Sequence, residues 1–213
     1  NEVIREIRSR LIPCIYGNYD YGIGVSSDDC GCAYKSDAER AMGAISIGFT
    51  NEIIGEAERD YLAGLPFSIS LQFQVQGEKK NLVMVHGSPR KVNEYLFEDR
   101  EEKSLRRILA DADADILCFG HTHKPYHRIL PGDPTHGFSE KHAINIGSVG
   151  KPKDGDNRAG YVMLTINPNV KNSMDPWLSV SFERVEYDIA RAAGAIENSI
   201  LPDFYADALR NGI

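Results

Sequence analysis

The sequence lacks any apolar run of about eighteen residues, and its first ten residues are mostly charged or polar. The first absence argues against a membrane-spanning helix, and the second argues against a secretory signal peptide. Cysteine is scarce, at 4 residues in 213, which is too few for a disulfide-stapled scaffold. We therefore expect a protein without membrane contact in a reducing, cytoplasmic setting.

The chain also lacks an excess of positive charge. It has 24 Lys and Arg against 31 Asp and Glu, a net charge of −7. A general nucleic-acid binder normally shows a basic face, so no nucleic acid polymer is expected as a partner. An anionic ligand would then need local positive charge or a metal ion, while composition leaves oligomerisation open.

The first residue is not methionine, and the first segments read as the middle of an α/β pattern. NEVIREIRSR predicts a helix and LIPCIYG predicts a strand. We therefore expect a single domain over residues 1–213 that lacks its N-terminal strand-helix segment.

The rest of the chain alternates helices and strands first and then becomes rich in strands. Ser36 and Glu39 form a capping box that opens a helix, with helical spacing to about Leu62 and a break near Gly55. DREEKSLRRILADA predicts an amphipathic helix. The predicted strands are FSISLQFQV, NLVMVHG, DILCFG, YHRIL, HAINIG, YVMLTI and LSVSFERVEY. A mixed sheet packed on a second sheet, with helices outside, accounts for both the alternating first part of the chain and its strand-rich second part.

A long polar loop, NYDYGIGVSSDDCGCAYK, is predicted between the first strand and the helix that starts near Ser36. It exceeds the usual connection length, which is typical of a substrate lid. Within it, Cys30 and Cys32 form a pair of thiols that would suit a soft metal. A structural zinc site needs four ligands, however, so an ordinary polar loop is the favoured interpretation.

Three predicted apolar strands end in polar residues of one chemical kind: Asn18 in IYGNYD, His86 in VMVHGSP, and His121 with His123 in CFGHTHKP. Side chains two apart in an extended segment point the same way, and the ends of neighbouring strands converge on one crevice. Imidazole and amide groups suit a divalent transition metal. Each residue alone is more often packed or at the surface, the reading we give to His127, His136 and His142.

Four ordered blocks, GNYD, VHGSP, GHTHKP and NIGSVGKPKDGDNRAGY, resemble the calcineurin-like metallophosphoesterases, especially their small bacterial and archaeal phosphodiesterase branch. The blocks span residues 17–161. The resemblance implies a four-layer α-β-β-α sandwich with two mixed sheets and a site for two divalent ions. It assigns Asn18, His86 and His121 to one ion and His123 to the other. We expect Mn²⁺, with Fe, Co, Ni and Zn as alternatives.

The resemblance also implies hydrolysis by a metal-activated water, with catalytic contributions from Asn18, Tyr19 and Asp20. Many family members place a histidine where this chain has Tyr19, and a phenol is a poor proton source at neutral pH. Small phosphodiesters or nucleotide pyrophosphate linkages are therefore the expected substrates, with a symmetric dinucleoside tetraphosphatase as a variant. Tyr19 packing in its loop and Asp20 capping it are the structural alternatives.

Two further residues of the last block are expected to bind the substrate phosphate. Ser148 lies in a turn whose amides would face an anion, and the Arg158 guanidinium binds phosphate in two-pronged fashion.

The chain departs from the family before GNYD, where the family has an Asp-x-His block and then a Gly-Asp block. Neither block occurs upstream of Gly17 here. Without those aspartates a second ion lacks ligands. The alternative function is therefore a phosphoesterase fold that has lost catalysis and binds a protein partner.

Overall fold

The computed structural model describes residues 1–133, 135, 139–170 and 176–213. The chain divides into two compact units: Asn1–Phe67 with Asp188–Arg210, and Ser68–Tyr187 with Asn211–Ile213. The described helices are α1 (Glu2–Ser9), α2 (Asn18–Gly24), α3 (Asp37–Ile53), α4 (Glu56–Ala63), α5 (Glu102–Asp111), α6 (Ile189–Glu197) and α7 (Phe204–Asn211). The described strands are β1 (Ser68–Val75), β2 (Glu78–Val85), β3 (Ile116–Phe119), β4 (Tyr126–Leu130), β5 (Lys141–Asn145), β6 (Ala159–Ile166) and β7 (Leu178–Val185).

The first unit is helical, and its central helix starts where the sequence predicts. Ser36 Oγ accepts a hydrogen bond from Glu39 N at 3.1 Å, and Glu39 Oε2 accepts one from Lys35 N at 2.7 Å. These bonds satisfy amides that the first turn of α3 leaves unpaired. The predicted break near Gly55 is confirmed, because Gly55 caps α4 just after α3 ends. A buried cluster of Ile23, Cys30, Ile47 and Leu62 holds these helices together.

Two predictions for the start of this unit are wrong. Residues 11–17 form no strand, and the segment predicted as a loop begins with helix α2. Asp20 Oδ2 accepts a hydrogen bond from Gly17 N at 2.7 Å, and Tyr21 N donates to the Gly17 carbonyl at 3.0 Å. A carboxylate at this position favours a helix start. The polar loop is consequently shorter than predicted, and its length no longer argues for a lid.

The second unit contains a five-stranded mixed sheet in the order β1-β2-β3-β5-β4. Strands β1 and β2 form the predicted antiparallel hairpin, β2, β3 and β5 run parallel, and β4 returns antiparallel to β5. Strands β6 and β7 form a separate antiparallel pair. The predicted α/β class with a mixed sheet and a second sheet is confirmed, and the second sheet is antiparallel in its described strands.

An apolar core fills the space between the two sheets. Its buried members are Leu82, Ile116, Cys118, Ile144 and Leu178, against which Val162, Leu164 and Ile166 of β6 pack. Side chains alternate along a strand, so the intervening residues of the mixed sheet face away from this core. Helix α5 contacts β5 and buries Leu105, Ile108 and Leu109.

The order β2-β3-β5 has a direct consequence for function. Because these three neighbours are parallel, the residues that follow them meet at one edge of the sheet. His86, then His121 with His123, and then Ile146 to Ser148 follow the three strands.

No helix in the described part of the chain combines the length and apolar character that a bilayer crossing requires.

Candidate metal centre

The ends of β2 and β3 are joined directly beside the histidines. Gly120 N donates to the His86 carbonyl at 2.8 Å, which extends the pairing of the two strands by one step. Gly87, the next residue, packs tightly against the backbone of Val92. A Cβ on Gly87 would lie 2.4 Å from the Val92 carbonyl oxygen. The backbone around His86 is therefore tightly constrained.

His86 and His121 face each other across this junction. His86 Nε2 and His121 Nδ1 lie 3.0 Å apart, and the ring centroids are 4.9 Å apart. The Tyr95 ring packs on His121 with centroids 4.1 Å apart. His121 Nε2 is buried and has no hydrogen-bond partner among the described residues. A buried polar atom without a partner calls for an unseen one, such as an ion or a water.

His123 is oriented by a neighbouring loop. Its Nδ1 lies 2.6 Å from the Lys151 carbonyl oxygen, and Lys153 N donates to the His123 carbonyl at 3.1 Å. A carbonyl only accepts, so Nδ1 carries the hydrogen and the neutral ring keeps its electron pair on Nε2. Metal-binding histidines commonly show this arrangement, with the second nitrogen bound to a carbonyl or carboxylate.

Burial keeps all three imidazoles neutral. It lowers the pKa of His86 to about 4, helped by repulsion from His121 and His123 whenever these are protonated. Burial, followed by repulsion from protonated His123, likewise lowers the pKa of His121 to about 4, against the opposing effect of a hydrogen bond to the Asn93 backbone. The pKa of His123 is lowered by burial and by the ammonium groups of Lys153 and Lys151, against the opposing effect of the Lys151 carbonyl. Neutral imidazole is the form that binds metals.

The local conformation differs from the extended segment that the sequence reasoning assumed. His121 and His123 have positive φ angles of 64° and 61°, and Thr122 N donates to the Gly120 carbonyl at 2.7 Å. Residues other than glycine rarely adopt this left-handed conformation, and it is found mostly where surrounding structure imposes it. A tight turn therefore carries His121 and His123, and the alternation of an extended strand does not apply to them.

These imidazoles fit a divalent transition ion. His86 Nε2 and His121 Nδ1 share one hydrogen at 3.0 Å in this structure, and an ion bound by both nitrogens at about 2.1 Å would take the place of that hydrogen. The described residues contain no group of three or more His, Cys, Asp or Glu side chains arranged to hold a metal. Among the described residues, the site therefore offers the facing pair of His86 and His121 and the separately oriented His123, which do not form one metal-binding group.

Asn18 belongs to the other compact unit, where it is the first residue of α2. It is buried, and its Nδ2 donates to the Cys30 carbonyl at 2.8 Å and to Cys32 Sγ at 3.3 Å. The two cysteines therefore contact the amide of Asn18. Burial, followed by the nearby Cys32, raises the pKa of Cys30 to about 11.

Tyr19 and Asp20 have structural surroundings in the same unit. Tyr19 packs against the cluster of Ile23, Cys30, Ile47 and Leu62. Burial, and then a hydrogen bond to Tyr34, raises its pKa far above the ordinary value for tyrosine. Asp20 caps α2 through Gly17 N, which is the structural alternative considered for it. The assignment of Asn18, Tyr19 and Asp20 to catalysis stays a prediction.

Ser148 and Arg158 are both held by local contacts. Ser148 Oγ accepts from Lys151 N at 3.0 Å, within the loop that orients His123. Arg158 forms a two-pronged pair with Asp156, with Nε to Oδ1 at 3.0 Å and Nη2 to Oδ2 at 2.7 Å. The guanidinium on which the phosphate prediction rests is therefore already paired with a carboxylate.

The sequence reasoning missed two polar residues that support the histidine loops. Asn145, at the end of β5, is fully buried and bonds to the turn that carries His121 and His123. Glu94 bonds the loop after His86 through Ser88 Oγ at 2.5 Å and also pairs with Arg90. The signal for Asn145 was available, because an amide also ends an apolar strand at Asn18.

The remaining histidines have other surroundings. His127 and His142 bond to each other, Nε2 to Nδ1, at 3.0 Å on strands β4 and β5. They are packed side chains, as the sequence reading proposed for them. His136 lies outside the described residues.

Comparison with known proteins identifies one family. A family model described as the calcineurin-like phosphoesterase superfamily domain matches residues 2–169. A protein of unknown function from Methanocaldococcus jannaschii is 28% identical over 219 aligned residues, covering 98% of this chain and 79% of the relative.

Two solved structures share the fold over the whole chain. The crystal structure of a metallophosphoesterase from Sphaerobacter thermophilus is 23% identical, with a TM-score of 0.68, covering 100% of this chain and 82% of the other. A hypothetical protein from Pyrococcus horikoshii is 20% identical, with a TM-score of 0.71 and coverage of 100% and 78%.

Proposed function

Because this chain belongs to the calcineurin-like phosphoesterase superfamily, we propose that it is a metal-dependent hydrolase of small phosphodiesters or nucleotide pyrophosphate linkages. The family supports a metal-dependent phosphoesterase in general, and the substrate class is our addition. One observation carries the proposal: the nitrogens of His86 and His121 meet at 3.0 Å where adjacent parallel strands end.

The histidines would divide between two divalent ions. His86 and His121, which face each other, would hold one ion, and His123, oriented separately by the Lys151 carbonyl, would hold the other. The assignment of Asn18 to the first ion stays a prediction. When bound, such ions polarise the phosphoryl group and lower the pKa of a bound water to near neutral. The donor set suits Mn²⁺ as well as Fe, Co, Ni and Zn.

The environment of Tyr19 supports a substrate with a good leaving group. Its raised pKa keeps the phenol protonated, so Tyr19 would donate a hydrogen bond and would not release a proton readily. Alkoxide leaving groups need a proton, whereas pyrophosphate linkages and activated diesters need less help. The catalytic contributions of Tyr19 and Asp20 stay predictions, and Asp20 holds the start of α2 through Gly17 N.

The loop after β5 is our candidate for binding the substrate phosphate. Ser148 lies on the segment that also holds His123, and Lys151 and Lys153 contribute positive charge close to the imidazoles. Arg158 would join them by exchanging Asp156 for a phosphate, a swap of one oxyanion for another. A small phosphorylated molecule is the partner that this arrangement fits.

The first test is hydrolysis of bis(p-nitrophenyl) phosphate with added Mn²⁺. The His121→Ala variant is expected to lose activity by roughly 100-fold or more, since even residues that only support metal ligands are typically worth about 10- to 100-fold. The His127→Gln variant is the matched control, because its imidazole lies on β4 and bonds to His142. A panel of nucleotides, including dinucleoside tetraphosphates, then ranks the natural substrates.

Equal activity in the two variants would remove the histidine pair from the mechanism. No turnover by the wild type with Mn²⁺, Fe²⁺, Co²⁺, Ni²⁺ or Zn²⁺ would favour the rival function. That rival is a non-catalytic phosphoesterase fold that binds a protein partner. It is favoured because the described residues contain no group of three or more His, Cys, Asp or Glu side chains that could hold a metal. A cytoplasmic setting, a single domain over residues 1–213 and any oligomeric state stay predictions.

A further inference from the structure

The side-chain amide of Asn145 links the segments that follow β3 and β5 at one edge of the sheet. It is the last residue of β5 and is fully buried. Its Nδ2 donates to the Gly120 carbonyl at 3.0 Å and to Thr122 Oγ1 at 2.8 Å, while its Oδ1 accepts from Gly147 N at 3.0 Å. Both donor hydrogens and the carbonyl oxygen therefore have partners within the protein.

The segment that Asn145 binds is the tight turn carrying the histidines. His121 and His123 both have positive φ angles, a conformation that non-glycine residues keep only where the surrounding structure imposes it. The two donor bonds of Asn145 end on Gly120 and Thr122, the residues that flank His121. The third bond anchors the start of the loop that supplies the Lys151 carbonyl to His123.

We propose that Asn145 is a positioning residue that sets the metal affinity of His121 and His123 by holding their left-handed turn. The inference rests on the proposed function, because it assumes that these imidazoles bind an ion. The hydrogen bonds that Asn145 donates end on the Gly120 carbonyl and the Thr122 hydroxyl, so it acts through the turn and not on the imidazoles directly. It therefore differs in kind from the metal ligands themselves.

The chemistry of the amide explains why other residues would not replace it. Alanine would leave the buried Gly120 carbonyl and Gly147 amide without these partners. Aspartate would place a carboxylate oxygen against the Gly120 carbonyl, so two acceptors would oppose each other. Thr122 contributes through its hydroxyl, which accepts from Asn145 and also from Lys124 N at 3.2 Å.

The test is Mn²⁺ or Co²⁺ affinity by titration calorimetry, well below the unfolding temperature of each variant. Asn145→Ala is expected to weaken the affinity about 10- to 100-fold, the usual effect of losing a group that supports a metal ligand. The matched control is Asn81→Ala. Asn81 is also buried and donates to the carbonyl and carboxylate of Asp113, near the opposite end of β3. Its variant should lower the unfolding temperature and leave the affinity unchanged.

If Asn145→Ala fails to fold, two milder substitutions of Thr122 test the same proposal. Thr122→Ser keeps the hydroxyl and should retain wild-type affinity, whereas Thr122→Val removes it and should weaken binding. Equal affinity of the folded Asn145→Ala variant and the wild type would overturn the proposal, as would equal affinity of the two Thr122 variants.

Failure of the proposed function gives a different result, in which the wild type itself binds no ion. The histidine ¹⁵N resonances of the metal-free protein then decide whether Asn145 positions the turn. Asn145→Ala should shift the signals of His121 and His123, while Asn81→Ala should not. Unshifted signals in Asn145→Ala would overturn the positioning role independently of any metal.

Discussion

A positive φ angle marks three residues around the candidate site: His121 at 64°, His123 at 61° and Gly147 at 73°. The two histidines keep this conformation under external support, from the Asn145 amide and the Lys151 carbonyl. At Gly147 the lack of a side chain makes the positive φ angle accessible. A Cβ there would lie 3.2 Å from Cβ of Pro125, so both the angle and the space favour glycine.

We predict that Gly147→Ala lowers the free energy of unfolding by about 1–2 kcal/mol, because an L-residue pays this much in the left-handed region. Gly150→Ala is the control, since nothing lies within 4 Å of a Cβ at that position and its φ is not positive. Its effect should stay within roughly 0.5 kcal/mol. Urea denaturation followed by circular dichroism measures both. Equal effects of the two changes would contradict the role given to the backbone angle.

At the scale of elements, strands β4 and β5 carry a chain of hydrogen bonds apart from the candidate site. His127 Nε2 and His142 Nδ1 lie 3.0 Å apart, and His142 Nε2 lies 3.1 Å from Glu140 Oε1. The indole of Trp177 donates to the same Glu140 oxygen at 3.0 Å. Burial lowers the pKa of both histidines, and the negative charge of Glu140 only partly opposes it.

This pair should make stability depend on pH. The folded-state pKa values lie below the ordinary value of about 6.5, so the unfolded chain binds more protons as the pH falls through that value. Stability is therefore full above about pH 6.5 and declines as the pH falls toward 5. Urea unfolding at pH 7.5, 6.5 and 5.5, with chelator present, measures the decline.

The variant His142→Asn should reduce the slope of that decline, because one of the buried imidazoles is gone. The slope should not vanish, since His86, His121 and His123 shift in the same direction. An unchanged slope in His142→Asn would show that the β4–β5 pair does not titrate as its burial implies.

For the whole molecule, two properties bear on ligand binding: a net charge of −7 and a cluster of neutral imidazoles. The charge attracts any divalent cation weakly and without geometric preference. The imidazoles select transition ions, whereas calcium prefers oxygen ligands. Comparison of two cations therefore separates a specific site from general attraction.

We predict that Mn²⁺ raises the unfolding temperature of the full chain and that Ca²⁺ at the same concentration does not. An ion at 100 times its dissociation constant adds about 2.7 kcal/mol of stability when it binds the folded state alone. Thermal denaturation of the wild type and of His121→Ala gives the measurement, and the Mn²⁺ effect should shrink in the variant. Equal shifts with both cations would indicate attraction by surface charge and would count against an imidazole site.

Elements with local signals could be predicted from the sequence alone. Helix α3 starts after Ser36 and helix α4 starts after Gly55, as expected, and the alternation of Phe67 to Val75 predicted a strand that pairs in the expected hairpin. Local patterns failed for residues 11–17, where apolar composition predicted a strand that is not there. Apolar runs do not distinguish a strand from other buried chain, because pairing depends on distant partners.

The construction of the candidate site depends on long-range contacts. Strand-end positions predicted that His86, His121 and His123 would gather, and the contact between His86 and His121 depends on β2 and β3 being parallel neighbours. The turn that aims His121 and His123 depends on Asn145, which is more than twenty residues away in the chain. Hydrogen bonds over such separations follow from sheet order, and sheet order is set by packing of the whole unit, which no short motif records.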